Sequence, residues 1–148
     1  MAMTMNGEVQ LAAPRETVWE KLNDPEVLKS CIPGCEELER TEDNGFRAVA
    51  KIKVGPVSAR FKGKVMLSDL DPPNGYKISG EGEGGIAGFA KGGATVGLTD
   101  KDGGTLLSYN VEAQIGGKLA QLGQRLINGT AKKLADEFFA GFARAVQG

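Results

Sequence analysis

Residues Phe46 to Leu67, with the sequence FRAVAKIKVGPVSARFKGKVML, alternate between apolar and polar side chains at almost every step. This period of two is typical of a β-strand that has one face on a core and the other in water. Gly55-Pro56 interrupts the alternation near its middle, as expected of a tight turn. The stretch therefore predicts two antiparallel strands joined by a hairpin, with lysine and arginine on the outer face.

The same alternation continues on both sides of this hairpin. Further runs of this kind are Glu8–Ala12, Tyr76–Gly84, Ala94–Leu98 and Leu107–Ile115. The segments Asp71–Gly75 and Asp100–Gly104 separate neighbouring runs and are rich in Asp and Gly, as turns are. Alternating runs joined by short turns predict an antiparallel meander with one apolar face.

After the last run, Gly116-Gly117 ends the predicted sheet and the apolar period changes to three or four residues. From Lys118 onward, the apolar positions are Leu119, Leu122, Leu126, Ala131, Leu134, Phe138, Phe142 and Ala145. This spacing predicts a long amphipathic helix of roughly eight turns. Two short helices are predicted after the first strand, one with Pro14 at its first position and one starting at Asp24-Pro25.

These elements predict the fold class α+β. We expect a single domain over residues 1–148, in which a curved antiparallel sheet wraps around the long C-terminal helix and two short helices follow the first strand.

The composition excludes several functions. Eighteen basic and nineteen acidic residues are nearly balanced, whereas a nucleic-acid-binding protein usually has a basic excess. The absence of histidine excludes Ser-His-Asp and Cys-His catalysis and most catalytic zinc sites, so no catalytic or metal-binding residue is predicted. Cys31 and Cys35 are interpreted as small buried side chains rather than as a disulfide. Met1–Gly7 lacks a signal-peptide pattern, so a cytoplasmic location is expected.

The predicted inner face of the sheet is poor in bulky side chains. Its small residues are Ala48, Ala50, Ala59, Gly63, Gly80, Gly82, Gly84 and Ala94. An empty void of about 300 Å³ would cost roughly 7 kcal/mol, which is comparable with the whole stability of a domain. Either the glycines let the sheet bend until the gap closes, or a ligand fills the gap.

The bulkier residues of the same face, with those of the helix, form the predicted ligand-binding site. They are Phe61, Val65, Ile78, Phe89, Val96, Tyr109, Leu122, Leu126 and Phe138. A mostly apolar lining, in which Tyr109 is one of few polar groups, suits a lipophilic small molecule. The glycine-rich segment Ile86–Gly93 is interpreted either as a mobile gate at the mouth of the site or as an ordinary wide loop.

The predicted outer face carries a basic stripe. Its residues are Arg47, Lys51, Lys53, Arg60, Lys62 and Lys64. Two interpretations are open: ion pairs across neighbouring strands with Glu81, Glu83 and Glu112, or a docking surface for an acidic partner.

Several segments resemble the CoxG family, the family of the G subunit of carbon monoxide dehydrogenase. They are Gly7-Glu8-Val9 with Pro14 and Val18-Trp19, Leu28–Cys35 followed by Glu36, Val54–Val57, and Gly88-Phe89-Ala90. This family is part of the helix-grip (SRPBCC) superfamily, which also includes START lipid-transfer domains, polyketide cyclases and the birch-pollen allergen. The resemblance implies association with a molybdenum CO dehydrogenase or a related hydroxylase, and a role in linking that enzyme to the membrane.

The residues and the resemblance together predict a non-enzymatic carrier of a lipophilic ligand. The expected ligand is an isoprenoid quinone (menaquinone or ubiquinone), bound without a covalent link and passed between the dehydrogenase and the membrane electron-transport chain. We expect the carrier to act at the inner face of the cell membrane through peripheral contact. Two alternatives are an adaptor that recruits the dehydrogenase without a ligand, and an enzyme of the cyclase or dehydratase type on the same fold.

Overall fold

The structure is a computed structural model and describes residues 1–147. It contains one seven-stranded antiparallel sheet, three α-helices and two short 3-10 helices. The strands are β1 (Ala2–Leu11), β2 (Cys35–Thr41), β3 (Gly45–Val54), β4 (Val57–Asp71), β5 (Gly75–Glu83), β6 (Phe89–Lys101) and β7 (Gly104–Gly116). The helices are α1 (Arg15–Leu22), α2 (Pro25–Cys31) and α3 (Gln124–Gln147), and the 3-10 helices span Gly85–Ala87 and Gly117–Leu122.

The strand order in the sheet is β1-β7-β6-β5-β4-β3-β2, so consecutive strands from β2 to β7 are neighbours. The predicted meander and the predicted fold class are confirmed. β1 pairs with β7 and lies at one edge of the sheet, while β2 lies at the other. This order leaves one edge of β1 without a strand partner, on the side where α3 crosses the sheet.

The pairing register brings the predicted inner residues onto one face. Gly63 lies opposite both Ala48 and Gly82, and Ile78 lies opposite Ala94. We call this the inner face, because its apolar residues pack with those of α3, and the opposite side the outer face.

Several predicted boundaries were wrong. β1 begins at Ala2 rather than at Glu8, and the strand β2 was not predicted. The helix α3 begins at Gln124 rather than at Lys118, because Gly123 adopts a positive φ of 92° that ends the preceding 3-10 helix. Leu119 and Leu122 therefore lie on the 3-10 helix and not on α3.

The segment predicted as a wide loop at Ile86–Gly93 is mostly strand. Phe89 begins β6 and lies opposite Glu83 at the end of β5, so the connection is confined to residues 84–88. Three backbone hydrogen bonds hold this short connection, including the one that Gly84 N donates to Gly88 O at 2.9 Å. The wide-loop interpretation is thereby corrected.

The two short helices form where the sequence predicts them. The Asp24 side chain accepts a hydrogen bond from Glu26 N, and Pro25 occupies the first turn of α2. Pro14 is the residue that precedes α1 rather than its first residue, which shifts the predicted start by one position. Cys31 is buried and Cys35 is half-buried, and both are free thiols.

The apolar core forms two clusters. The first joins α1, α2 and the end of α3 to the sheet through Leu11, Ala13, Val18, Leu22, Cys31, Tyr76, Val96, Leu98, Leu107, Phe142 and Val146. The second joins the start of α3 and the adjacent 3-10 helix to the sheet through Met3, Val54, Ile115, Leu119 and Ile127. The helix α3 thus contacts the sheet firmly near both of its ends.

Candidate ligand-binding site

The centre of the inner face, between the two core clusters, is thinly covered. A methyl group added at Gly63 would find only Glu81 O at 3.3 Å and Gly82 Cα at 3.8 Å within contact distance. One added at Gly82 would find only Lys62 O, at 3.8 Å. All of these atoms are sheet backbone, so no side chain of α3 reaches the sheet at these two positions. Close packing of a helix on a sheet would place helix side chains there.

An apolar groove of about 780 Å³ lies beside this region, between the free edge of β1 and α3. Its apolar lining consists of Met3, Met5, Gly7 and Val9 from β1, Tyr109 from β7, and Ala131, Phe139, Ala140 and Ala143 from α3. The helix contributes mostly alanine to this lining, and short side chains leave the groove open. A groove of this size and lining has the dimensions of a small-molecule site.

Tyr109 carries a hydroxyl group into this groove. It lies opposite Gly7 in the β1–β7 register, and a methyl group on Gly7 would lie 2.5 Å from the Tyr109 hydroxyl oxygen. The Tyr109 ring therefore extends across the glycine toward the edge of the sheet. On its other side the ring stacks on Phe139, with ring centroids 5.1 Å apart and an interplanar angle of 20°.

An aromatic series connects this hydroxyl-bearing ring to the first core cluster. Phe139 meets Phe138 edge to face at 5.0 Å, and Phe138 stacks on Phe142 at 5.8 Å. Phe142 is fully buried. Such ring pairs favour defined geometries, so the buried end of α3 restricts the orientation of Tyr109.

Charged groups line the groove at its solvent side. The Lys132 ammonium group donates a hydrogen bond to Asp136 Oδ2 at 2.9 Å, one helical turn along α3. This hydrogen bond raises the pKa of Lys132, and the proximity of Tyr109 adds a smaller effect in the same direction. The groove therefore combines an apolar floor with a polar rim that includes a hydroxyl group and an ammonium group.

Five of the nine predicted site residues share the inner face of the sheet: Phe61, Val65, Ile78, Val96 and Tyr109. Of these, Tyr109 also lines the groove. Phe138 packs against the first core cluster from α3. Leu122 and Leu126 line a separate depression of about 580 Å³ at the start of α3. The predicted set is thus spread along the space between sheet and helix rather than gathered in one pocket.

Phe89 lies on the opposite side of the sheet, which corrects its expected inward orientation. It is 46% exposed and lies opposite Glu83 and Gly116. The Phe89 ring covers the outer side of Gly116, where any larger residue would collide with it. We therefore leave Phe89 out of the candidate site.

The groove also includes residues that sequence reasoning missed. Met3, Met5 and Val9 alternate with polar residues in the N-terminal segment, which is the signal that could have extended the first strand to Ala2. Phe139 follows Phe138 directly and falls outside the three-to-four spacing used to define the apolar face of α3. Its stacking on Tyr109 places it at the groove.

The basic stripe on the outer face is largely neutralised within the protein. Arg47 pairs with Glu39 at 2.9 Å, and Arg60 pairs with Glu36 at 2.7 Å. Lys64 pairs with Asp43 at 3.6 Å. Ion pairs therefore form, but with β2 and the turn after it rather than with Glu81, Glu83 or Glu112. The register does place Lys64 opposite Glu81 and Lys62 opposite Glu83, close enough for longer-range attraction.

Shifted pKa values report local structure at three kinds of position. The hydrogen bond from Arg60 lowers the pKa of Glu36 at the surface. Burial raises the pKa of the Tyr76 phenol within the first core cluster, and burial also raises that of the Cys35 thiol. Across residues 1–147, no three His, Cys, Asp or Glu side chains are grouped to hold a metal ion. Over the same residues, no helix combines the length and apolarity needed to cross a bilayer.

A curved antiparallel sheet held against a long C-terminal helix, with two short helices after the first strand and an apolar groove beside the helix, defines a helix-grip protein. Within that class, the chain belongs to the CoxG family, described as the G subunit of carbon monoxide dehydrogenase, whose model matches residues 7–147. The predicted resemblance is confirmed over nearly the whole chain. Membership in this family connects the chain with the CO dehydrogenase system.

Solved structures agree with this assignment. A conserved protein from Geobacillus kaustophilus is 35% identical, with a TM-score of 0.92 over 98% of this chain and 95% of the other. The Zhui aromatase/cyclase from Streptomyces sp. R1128 is 14% identical, with a TM-score of 0.71 over 99% of this chain and 94% of the other. The protein Ara h 8.0201 is 15% identical, with a TM-score of 0.67 over 99% of both chains. The last two likenesses concern the fold alone. The comparison with curated proteins finds no match.

Proposed function

We propose that this protein is a non-enzymatic carrier of a lipophilic small molecule, and that the molecule is an isoprenoid quinone such as menaquinone. In this proposal the carrier links a molybdenum CO dehydrogenase to the membrane electron-transport chain at the inner face of the cell membrane. The observation that carries the proposal is the uncovered centre of the inner face at Gly63 and Gly82, beside the apolar groove between β1 and α3.

The thin cover of the sheet supports binding of an apolar ligand. Two core clusters hold α3 at its ends, so the helix cannot settle onto the glycines between them without losing those contacts. A ligand tail that fills this space recovers the missing contacts. If about 400 Å² of tail is buried at about 25 cal/mol per Å², the gain is about 10 kcal/mol before the costs of association.

Tyr109 supports a ligand with a hydrogen-bond acceptor at one end. Its O–H group can donate to a quinone carbonyl oxygen, and its ring is fixed by Phe139. The groove opens to solvent at Lys132, so a head group bound there lies near the surface. This arrangement suits a carrier that presents a redox-active head group to a partner while its tail stays enclosed.

Family membership supports the dehydrogenase as the partner. A quinone is too apolar to leave a bilayer unaided, and the electrons of the dehydrogenase need an acceptor in the respiratory chain. The redox chemistry then belongs to the quinone and the enzyme, and the carrier contributes binding and orientation. The carrier itself needs no acid or base.

The test is extraction of the purified protein with organic solvent, followed by mass spectrometry of the extract. We expect a quinone in a nearly stoichiometric amount when the protein is made in cells that synthesise menaquinone. The variant Tyr109→Phe should bind the same quinone about tenfold more weakly, because one hydrogen bond is lost. Phe89→Leu, on the outer face, is the matched aromatic control and should bind as the wild type does.

Two other results would replace the proposal. A protein that carries no lipid and takes none up from quinone-containing detergent micelles would favour the ligand-free adaptor. Conversion of a polar aromatic polyketide substrate by the purified protein would favour the cyclase or dehydratase alternative.

A further inference from the structure

The two ends of the sheet differ in charge. At one end, the turns β2–β3, β4–β5 and β6–β7 and the strand residues beside them carry Glu42, Asp43, Asp69, Asp71, Asp100 and Asp102. We call this the acidic end. At the other end lie the β3–β4 turn, the β5–β6 connection and the segment from Gly116 to Leu126, and we call this the basic end.

The basic end carries cations without acids among them. Residues 53–58, 84–91 and 116–126 include Lys53, Lys91, Lys118 and Arg125 but no Asp or Glu, and Glu83 is the acid that precedes the second segment. All four cations are exposed. In the part of the chain that the structure describes, none of the four forms an ion pair. Their charges are therefore available to an outside partner.

The three segments of the basic end contact one another. Gly88 Cα lies next to Gly117, close enough that a side chain on Gly117 would collide with it. The Leu126 side chain lies against Gly55 in the β3–β4 turn, 2.8 Å from the position of an added methyl group. The cations thus surround one continuous surface rather than three separate loops.

The β5–β6 connection exposes an isoleucine on this surface. Ile86 is 84% exposed, although its neighbours Ala87 and Gly88 are buried. The hydrogen bonds Ala87 N to Gly84 O at 3.2 Å and Gly88 N to Gly85 O at 3.2 Å hold the loop in this form. Leu126, which is 36% exposed, adds a second apolar side chain at the same end. A side chain as apolar as isoleucine is rarely this exposed on an ordered turn unless something covers it.

We propose that the basic end docks on an anionic lipid bilayer, with Ile86 in the boundary between head groups and acyl chains and with Lys53, Lys118 and Arg125 at the lipid phosphates. The charge of this end is complementary to an anionic surface, and the acidic end then points away from it. A single projecting apolar residue ringed by cations suits a fluid bilayer, whereas a protein partner needs a broad complementary face. The inference rests on the proposed carrier function and assigns the surface through which the carrier meets its lipid source.

The test is cosedimentation of the full chain with vesicles of phosphatidylcholine that contain phosphatidylglycerol, compared with vesicles of phosphatidylcholine alone. We expect binding to the anionic vesicles that weakens with added salt. Ile86→Ser should weaken it about tenfold, and Lys118→Gln about fivefold. Matched controls lie at the acidic end: Leu70→Ser removes an apolar side chain that is 40% exposed, and Lys101→Gln removes an exposed charge. Both controls should bind as the wild type does.

The outcomes separate this inference from the carrier proposal. Absence of vesicle binding by a protein that does contain extracted quinone would overturn the docking surface and leave the carrier standing. Vesicle binding by a protein without any lipid ligand would leave the docking surface standing and overturn the carrier. Binding that Lys118→Gln weakens but Ile86→Ser does not would show a purely electrostatic contact, as with an acidic protein, and would overturn insertion into a bilayer.

Discussion

Gly7 lies directly opposite Tyr109 across β1 and β7, and the Tyr109 ring occupies the side of the strand where any larger residue at position 7 would carry its Cβ atom. The absence of a side chain at Gly7 therefore allows the Tyr109 hydroxyl group to reach the groove beside α3. An edge-strand glycine covered by a cross-strand aromatic ring also keeps this part of β1 in contact with the core.

The first prediction concerns Gly7→Ala. The added methyl group would lie 2.5 Å from the Tyr109 hydroxyl oxygen and 2.7 Å from Cζ, so the ring must leave its position. We expect a loss of about 1–3 kcal/mol in the free energy of unfolding, measured by urea denaturation, because the core is overpacked. Ligand binding should weaken as in Tyr109→Phe. Gly97→Ala is the control, since its methyl group would meet only Ser108 Oγ at 3.4 Å. Equal stability of the two variants would contradict the observed position of the Tyr109 ring.

The second prediction concerns Gly82→Leu, which tests the open centre of the inner face. An added Cβ atom meets only Lys62 O, at 3.8 Å, so a larger side chain should extend into the space beneath α3. We expect the free energy of unfolding of the ligand-free protein to stay the same or to rise, because apolar surface is added without a collision. The same side chain should abolish binding of the lipophilic ligand. A loss of stability greater than about 2 kcal/mol would instead mean that the interior is already filled.

The third prediction concerns the pH dependence of stability. Burial raises the pKa of Tyr76 in the folded protein above the ordinary tyrosine value of 10.0. Above about pH 10 the unfolded chain therefore ionises this phenol while the folded protein does not, and stability falls by up to about 1.4 kcal/mol per pH unit. Below pH 10 the contribution is fully present. The advantage of the wild type over Tyr76→Phe in urea denaturation should shrink between pH 9 and pH 11, and a constant difference would show that Tyr76 ionises equally in both states.

The fourth prediction concerns Thr105, whose side chain is fully buried. Its hydroxyl group donates a hydrogen bond to Ala13 O at 2.7 Å, which ties β7 to the segment before α1. Thr105→Val keeps the shape but leaves the Ala13 carbonyl oxygen without this donor, so we expect a loss of about 1–3 kcal/mol in the free energy of unfolding. Thr99→Val, at an exposed position of β6, should change stability by less than about 0.5 kcal/mol. Thermal unfolding of both variants checks the difference.

The inner face of the sheet was predictable because a strand with regular alternation has two chemically distinct faces. Val65 and Ile78 fall on the predicted side, since the runs that contain them have no irregularity between their turns. Phe89 was not predictable in this way. It follows Gly88, whose positive φ of 121° ends one alternating run, and the next run starts on the other face. A change of one residue in the phase of alternation is enough to move a side chain through the sheet.

The strand β2 was missed for a related reason. Its sequence CEELERT has one clearly apolar residue, Leu38, because an edge strand needs to contribute little to the core. Its acids are instead placed by pairing with β3 and β4, where Glu39 and Glu36 meet arginines. Those contacts depend on the sheet order, and local periodicity does not contain that order.

The sequence by itself determined the kinds of element, their approximate order and the side of most strands that faces the core, because each of these follows from residues only a few positions apart. Only the tertiary structure decided where the groove lies, since Gly7 and Phe139 come from opposite ends of the chain and meet solely because β1 joins the sheet beside β7. That pairing brings Tyr109 between them. The same assembly collects the cations of three separate segments at one end, which no single segment reveals.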